Sequence, residues 1–251
     1  MPEFYSQHGE DFLLNEVFKE KPTGYYVEIG CLDGVEYSNT YFFEIKGWKG
    51  ACIEAHNDFI PLLHQNRPGA QVVHCAVGAE DLESVTFYAN KIGSLSTIDK
   101  SAEERWKRDY KEFFTGFEEQ TVRMRTLTSI FNELKPGNID FISLDIEGYE
   151  VEALKGLDLT KYKPRIFIIE YKDDEHRAKV EQILFPHGYK FHTTVGCNLF
   201  YGTEAADKKI LTKDYGTVNL VMKNPQGDEH HHQVNLSKPG LLTKLKRKLF
   251  N

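Results

Sequence analysis

Between Tyr25 and Cys75 three short apolar runs alternate with two helix-patterned segments, and this alternation restricts the fold more than any other feature of the chain. Tyr25-Tyr-Val-Glu-Ile29 stops at Gly30 and reads as a buried strand. Ala51-Cys-Ile-Glu54, after the Gly47-Trp-Lys-Gly50 turn, is a second, and Gln71-Val-Val-His-Cys75, after Arg67-Pro-Gly69, a third. Between them, Ser38 or Asn39 is placed to cap a helix carrying Tyr41, Phe42 and Ile45, and residues 57–66 also have a helical pattern. Parallel neighbours need long crossover connections, so this order implies a parallel sheet with helices on its faces.

The alternation is interrupted and then resumes. Residues 84–89 alternate like an exposed strand. Ser101 to Phe114 is rich in charge, with Trp106, Tyr110, Phe113 and Phe114 on one helical face, so residues 100–118 read as an insertion or lid. Thr121–Arg125 is expected as an edge strand and Leu127–Leu134 as a helix ended by Pro136-Gly137. There follow a strand at Ile139–Leu144, a helix at Tyr149–Lys155, a strand at Arg165–Ile169 and a helix at Asp173–Phe185. Tyr189–Thr193 and Asn198–Tyr201 make a hairpin around Gly196. A helical segment over residues 5–21 precedes the first strand. The expected architecture is α/β: a doubly wound, mostly parallel Rossmann-like sheet with a C-terminal antiparallel hairpin, spanning residues 1–203. Residues 204–251 are expected as an extension. Within it, Asn224–Gln233 reads as a polar loop. The basic amphipathic stretch at 240–250 reads as a helix packed on its own domain or a peripheral contact with an anionic membrane surface.

Composition excludes several classes. With 31 Lys plus Arg against 38 Asp plus Glu the net charge is −7, which argues against nucleic acid as a partner, since phosphate binding draws on basic residues. No apolar run approaches the ~18 residues of a membrane span, and the N-terminus shows no secretory pattern. Four scattered cysteines without a CxxC pair suit a reducing, cytoplasmic setting. No Cys/His set has zinc spacing, and neither a G-x-S-x-G elbow nor a G-x-x-x-x-G-K-[ST] loop occurs, which excludes a serine hydrolase and a P-loop nucleotidase.

Ligands of parallel sheets lie beyond the carboxyl ends of the strands, where the strand order reverses. The first strand ends in Glu28-Ile-Gly30-Cys-Leu-Asp33-Gly34. Its glycines permit a tight turn, but the middle glycine of a dinucleotide loop is replaced by Leu32, and acids surround it. A pyrophosphate would be repelled, which counts against a nicotinamide-dependent reductase on the same sheet and leaves it as a rival that nicotinamide binding without methyl transfer would favour. Glu54 ends the second strand where an acid commonly accepts ribose hydroxyls. Glu28, Asp33 and Glu54 together suit a phosphate-free adenosine ligand with a positive centre, a description that S-adenosylmethionine meets. Asp145, Glu147 and Glu170 follow the later strands. Clustered carboxylates there serve as a general base, bind a hard cation, or cap the next helix.

Ser6-Gln-His-Gly-Glu-Asp11, Glu28-Ile-Gly-Cys-Leu-Asp-Gly34 with Tyr37-Ser-Asn-Thr-Tyr41, Gly47-Trp-Lys-Gly50 leading to Glu54, Asn66-Arg-Pro68, Ala76-Val77, Asp140-Phe-Ile-Ser-Leu-Asp-Ile-Glu-Gly148 and Pro164–Glu170 occur in this order. Together they resemble the FkbM-type methyltransferases over roughly residues 5–200. The resemblance implies the class I methyltransferase fold, S-adenosylmethionine as cofactor and methylation of a hydroxyl on a sugar, a glycan or another natural product. It implies that Glu28, Gly30, Asp33, Gly34, Ser38 and Glu54 line the cofactor site, that Ala76 and Val77 lie against the adenine, and that Gln7 and Asp11 close over it. Where this family usually has Ala-Asn, this chain has Cys31-Leu32. Some sugar O-methyltransferases with similar sheets hold a divalent cation after the fourth and fifth strands, so Asp145 and Glu170 are candidate ligands of Mg²⁺ or Mn²⁺. Asp145 or Glu147 is the expected base, assisted by Glu170. The rival to an active enzyme is a glycan-assembly module that keeps the fold and has lost turnover.

Overall fold

The computed structural model describes residues 3–223 and 228–237. Helix α1 (Glu10–Val17) leads into β1 (Tyr25–Ile29), α2 (Tyr41–Ile45), β2 (Lys49–Glu54), a single 3₁₀ turn continuing into α3 (Ile60–Asn66), and β3 (Ala70–His74). A second layer of chain follows: β4 (Ala76–Val77), β5 (Leu82–Ala89), α4 (Ala102–Asp109), β6 (Glu118–Arg125) and α5 (Leu127–Leu134). The winding then resumes with β7 (Phe141–Leu144), α6 (Glu150–Lys155), β8 (Ile166–Glu170), α7 (Asp174–Leu184), β9 (Lys190–Val195) and β10 (Asn198–Gly202). The described chain ends with α8 (Ala205–Leu211), β11 (Thr217–Lys223) and β12 (Glu229–Asn235).

Seven strands form the central sheet in the order β3-β2-β1-β7-β8-β10-β9. The first five run parallel, and β10 is antiparallel to both β8 and β9. This is the doubly wound sheet with an antiparallel end that the alternation predicts. Strand β8, Ile-Phe-Ile-Ile-Glu, is buried along its whole length, as a strand covered on both faces must be. One apolar layer gathers Val27, Ile142, Phe167 and Leu199 with α5, α6 and α7. The other gathers Tyr26, Phe141, Ile168 and Phe200 with α1, Phe43 and Trp48.

Residues 100–118 bury Trp106 and Phe114 and leave Tyr110, Phe113 and Phe117 half-buried. Trp106 and Phe114 pack with Leu95 and Ala102, and Tyr110 and Phe117 close over them, so the insertion builds a small core of its own. Beneath it, β5 pairs with β6 in a separate three-stranded sheet.

The segment read as a loop at 224–233 departs from expectation. Residues 229–235 form a strand, paired antiparallel with 217–223. Its polar residues hid an alternation in which Val234 and His232 are half-buried while Gln233 and His231 are exposed. Backbone pairing and one docked face suffice to hold such a strand. The docked face joins the α1 side of the core through Leu236, Val218 and Val234. Val221 N–H donates to the Phe4 carbonyl at 2.8 Å, and Leu236 lies against Gly9. The hairpin thus clasps the N-terminal segment. The basic stretch at 240–250 lies outside the described residues.

Candidate active site

The strand order turns between β1 and β7, and a cleft opens beyond their carboxyl ends, with about 1050 Å³ of open space. Gly30 sets the crossing of the two strand ends. It has φ +81°, and a Cβ there would lie 1.9 Å from the Asp145 carbonyl oxygen, so both conformation and space demand glycine.

The wall after β1 is organised by Glu28. Its buried carboxylate accepts from the Ser38 hydroxyl at 2.8 Å, the Thr40 hydroxyl at 2.7 Å and the Asn39 N–H at 2.9 Å. Arg67, fully buried, faces it at 3.2 Å and also reaches Glu44 at 2.7 Å, the Gly34 carbonyl at 2.9 Å and the Thr40 hydroxyl at 2.8 Å. Ser38 in turn accepts from the Thr40 and Tyr41 N–H groups, although the N-cap of α2 is Thr40 and not Ser38 or Asn39 as the sequence suggests.

Glu54 ties two loops together. One carboxylate oxygen accepts from Cys31 and Leu32 N–H, both at 2.9 Å, and the other from Ala55 and His56 N–H, both at 2.8 Å. Burial holds its carboxyl above the usual range, although these backbone donors pull the other way. Beside it, Ile53, Ala55, Ala76, Val77 and Phe87 form an apolar wall. Leu32 sits at φ +51°, a left-handed conformation costly for a γ-branched residue. Its side chain and Phe59 press on Gly93, where a Cβ would lie 2.8 Å and 2.4 Å from them.

Opposite, the β7–α6 loop carries Asp145 and Glu147, both half-buried. Glu150 shapes this loop from inside. One of its oxygens accepts from Ile146 and Gly148 N–H, each at 3.0 Å, and the other lies 3.0 Å from His176 Nε2. Burial works to raise the Glu150 carboxyl, but His176 and the Gly148 N–H outweigh it and leave it below its usual range. The sequence offers His176, just beyond Glu170, as a base, a metal ligand or a solvated residue of a surface helix; it is buried against this carboxylate. Asp145, Glu150 and Glu170 bring oxygens within 4.8 Å of one another.

The family model described as Methyltransferase FkbM domain matches residues 28–191. The chain belongs to the FkbM methyltransferase family. Its reaction class is therefore S-adenosylmethionine-dependent methyl transfer. No curated protein matches this methyltransferase in sequence. Among solved structures it is similar to the precorrin-6y C5,15-methyltransferase of Geobacter metallireducens GS-15, at 9% identity, TM-score 0.41, and coverage of 90% of this chain and 82% of that one. It is also similar to a candidate caffeoyl-CoA O-methyltransferase from Staphylococcus aureus, at 10% identity, TM-score 0.43, and coverage of 76% and 80%.

Of the residues expected from the FkbM sequence pattern, Gln7, Glu28, Gly30, Ser38, Glu54, Ala76, Val77, Asp145 and Glu147 line the one cleft. Others stand behind it. The Asp11 carboxylate turns inward to the Tyr5 N–H at 2.6 Å and the Ser6 hydroxyl at 2.5 Å. Asp33 accepts from Val35 and Glu36 N–H, both at 2.9 Å, and so fixes the turn after Leu32. Gly34 makes room for Arg67 and Leu63, and Glu170 ends β8 beside Asp145 and Glu150.

Sequence reasoning gave no role to Arg67 or the Ser94–Ile98 segment of this methyltransferase, and took Glu150 as an acid placed to cap the helix after β7. Arg67 stood in the Asn-Arg-Pro block, but its residue type alone does not disclose burial against Glu28 and Glu44. For Ser94, Ser96 and Thr97, which line the cleft, no local pattern marks the approach.

Proposed function

We propose that this methyltransferase transfers the methyl group of S-adenosylmethionine to a hydroxyl oxygen of a sugar or glycan. The observation that carries the reading is the cleft at the strand-order reversal, where an apolar wall, an acid at the end of β2 and two acids after β7 face one space. The lining fits the donor: Ala76 and Val77 give the adenine a dry surface, Glu54 holds the loops after β1 and β2 that would flank the ribose, and Gly30 lets backbone approach. When bound, the donor supplies an electrophilic methyl carbon on a sulfonium that leaves as a neutral thioether.

The protein's part is alignment and proton removal. A hydroxyl has a pKa far above neutrality, so Asp145 or Glu147 accepts its proton as the new carbon–oxygen bond forms. Gln7 closes the cleft from the N-terminal side. The oxygen-only set of Asp145, Glu150 and Glu170 also suits Mg²⁺ or Mn²⁺, which would polarise the hydroxyl from the side of Asp145. Residues 1–203 make up the catalytic domain, and the extension from 204 braces its N-terminal segment.

Calorimetric titration with S-adenosylhomocysteine, with and without Mn²⁺, tests this reading. Wild type is expected to bind at micromolar order and Glu54→Ala to lose binding, with thermal melts confirming that the variant is folded. No binding by wild type under either condition refutes the proposal. Binding without methylation of any glycan tried would favour the inactive module.

A further inference from the structure

Among the described residues, four that are not glycine hold a left-handed backbone: Leu32 at φ +51°, Tyr37 at +60°, Lys135 at +51° and Glu147 at +56°. The conformation crowds Cβ against the following carbonyl, so residues with a side chain seldom keep it without a cause. Lys135 has an ordinary one, since it ends α5 with its N–H on the Phe131 carbonyl at 2.9 Å. The other three all line the cleft. Of these, Glu147 alone carries a carboxylate.

The backbone of Glu147 is imposed by its surroundings. One Glu150 oxygen accepts from the N–H groups on either side of it, Ile146 and Gly148, each at 3.0 Å, and His176 Nε2 lies 3.0 Å from the other Glu150 oxygen. Thr97, which also lines the cleft, donates its hydroxyl to the Glu147 carbonyl at 3.4 Å. Asp145 needs no such frame. Its N–H continues the β1–β7 ladder onto the Ile29 carbonyl at 3.1 Å, and its carboxylate groups with those of Glu150 and Glu170. Strained backbone persists where the surroundings over-determine it, and such positions gather where the side chain they aim is used. A glycine would rest at position 147 without strain; the chain places a carboxylate there and fastens it.

We propose that Glu147, rather than Asp145, takes the proton of the acceptor hydroxyl, and that Glu150 and His176 are positioning residues that hold it in place for that step. This rests on the proposed sugar O-methyl transfer and decides between the two acids after β7. The hydroxyl oxygen bonds the methyl carbon as the carbon–sulfur bond breaks. Its proton passes to a Glu147 carboxylate oxygen, and the sulfur keeps the bonding pair as a neutral thioether.

The first test needs no acceptor. Glu147→Gly and Glu147→Ala both remove the carboxylate, but only glycine relieves the strain, so the glycine variant is expected to melt about 2–4 °C above the alanine variant. Equal melting, or the reverse order, overturns the strain on which the assignment stands. In a labelled-donor screen of methyl glycosides, Glu147→Gln is expected to lose at least about 100-fold in kcat, and more than Asp145→Asn loses. Its affinity for S-adenosylhomocysteine by calorimetry is expected to stay within about threefold of wild type. A larger kcat loss in Asp145→Asn overturns the assignment. His176→Leu is expected to lower kcat about tenfold at unchanged donor KM, and His176→Gln, which keeps a donor for Glu150, to restore most of it; a leucine variant at wild-type kcat overturns the positioning role. Wild type that binds S-adenosylhomocysteine and methylates no glycoside refutes the sugar reading itself. The order of the two melting temperatures does not depend on that outcome, so the two failures are distinguishable.

Discussion

Replacing Arg67 by methionine tests whether the cofactor wall is held by a buried ionic frame. The guanidinium is completely buried, bridges Glu28 and Glu44, donates to the Gly34 carbonyl and the Thr40 hydroxyl, and lies 5.3 Å from the centre of the Tyr26 ring. Methionine keeps much of the apolar stem but leaves two carboxylates without their cation. Removing one partner of a buried pair costs about 3–5 kcal/mol. For a chain of this size each kcal/mol moves the melting temperature by about 2–4 °C, so a fall of roughly 6–20 °C is expected. Urea unfolding should show a lower midpoint at an unchanged slope. The double variant Arg67→Met/Glu28→Gln is expected to be more stable than the sum of the single losses, because the second change removes a stranded charge. Arg67→Lys should not rescue, since one ammonium cannot serve acceptors arranged around a fork. A melting shift below about 3 °C, or simple additivity in the double variant, would refute the ionic frame and leave Arg67 as a packing residue.

Gly30→Ala should abolish S-adenosylhomocysteine binding and lower the melting temperature, because its Cβ would strike the Asp145 carbonyl; unimpaired calorimetric binding would show that the two strand ends can part. At position 32, Leu32→Gly is expected to be more stable than Leu32→Ala by about 1 kcal/mol in urea unfolding, since alanine keeps the left-handed strain and loses the packing; the opposite order would mean the turn relaxes. Burial pushes the Asp11 carboxyl up to about 7 against the hydrogen bonds from Ser6 and Tyr5. The folded state therefore keeps a proton that the unfolded chain releases near pH 3.9, and stability falls with rising pH between these values by at most about 1.4 kcal/mol per unit. Measured as the unfolding free energy of Asp11→Asn minus that of wild type, the difference should widen from pH 4 to pH 7 and level off above; a constant difference would count against it.

Much of this was legible in the residues. The parallel order followed from the alternation of Tyr25–Ile29, Ala51–Glu54 and Gln71–Cys75 with helical segments, because period and spacing are local properties of the chain. Strand ends named Gly30, Glu54 and Asp145 for the same reason. What residue type could not reveal was direction. Asp11 and Asp33 carry the chemistry of ligand-binding acids but turn to their own backbone, and Glu150, which reads as a cap, is the support of the loop bearing Glu147. His176 looked solvated because the pattern of α7 does not disclose that Glu150 waits beneath it. The hairpin at 217–235 was missed because its inward face carries a histidine beside a valine, and its docking surface is supplied by residues more than two hundred positions earlier.

That last pairing governs the order in which the molecule can be completed. Phe4 receives its hydrogen bond from Val221, and Gly9 its cover from Leu236. Contacts so distant in sequence carry a large loop-closure cost and form late. On a ribosome, the segment around Phe4 and Gly9 is made more than two hundred residues before the hairpin that covers it, so it stays unclasped while the sheet between them winds.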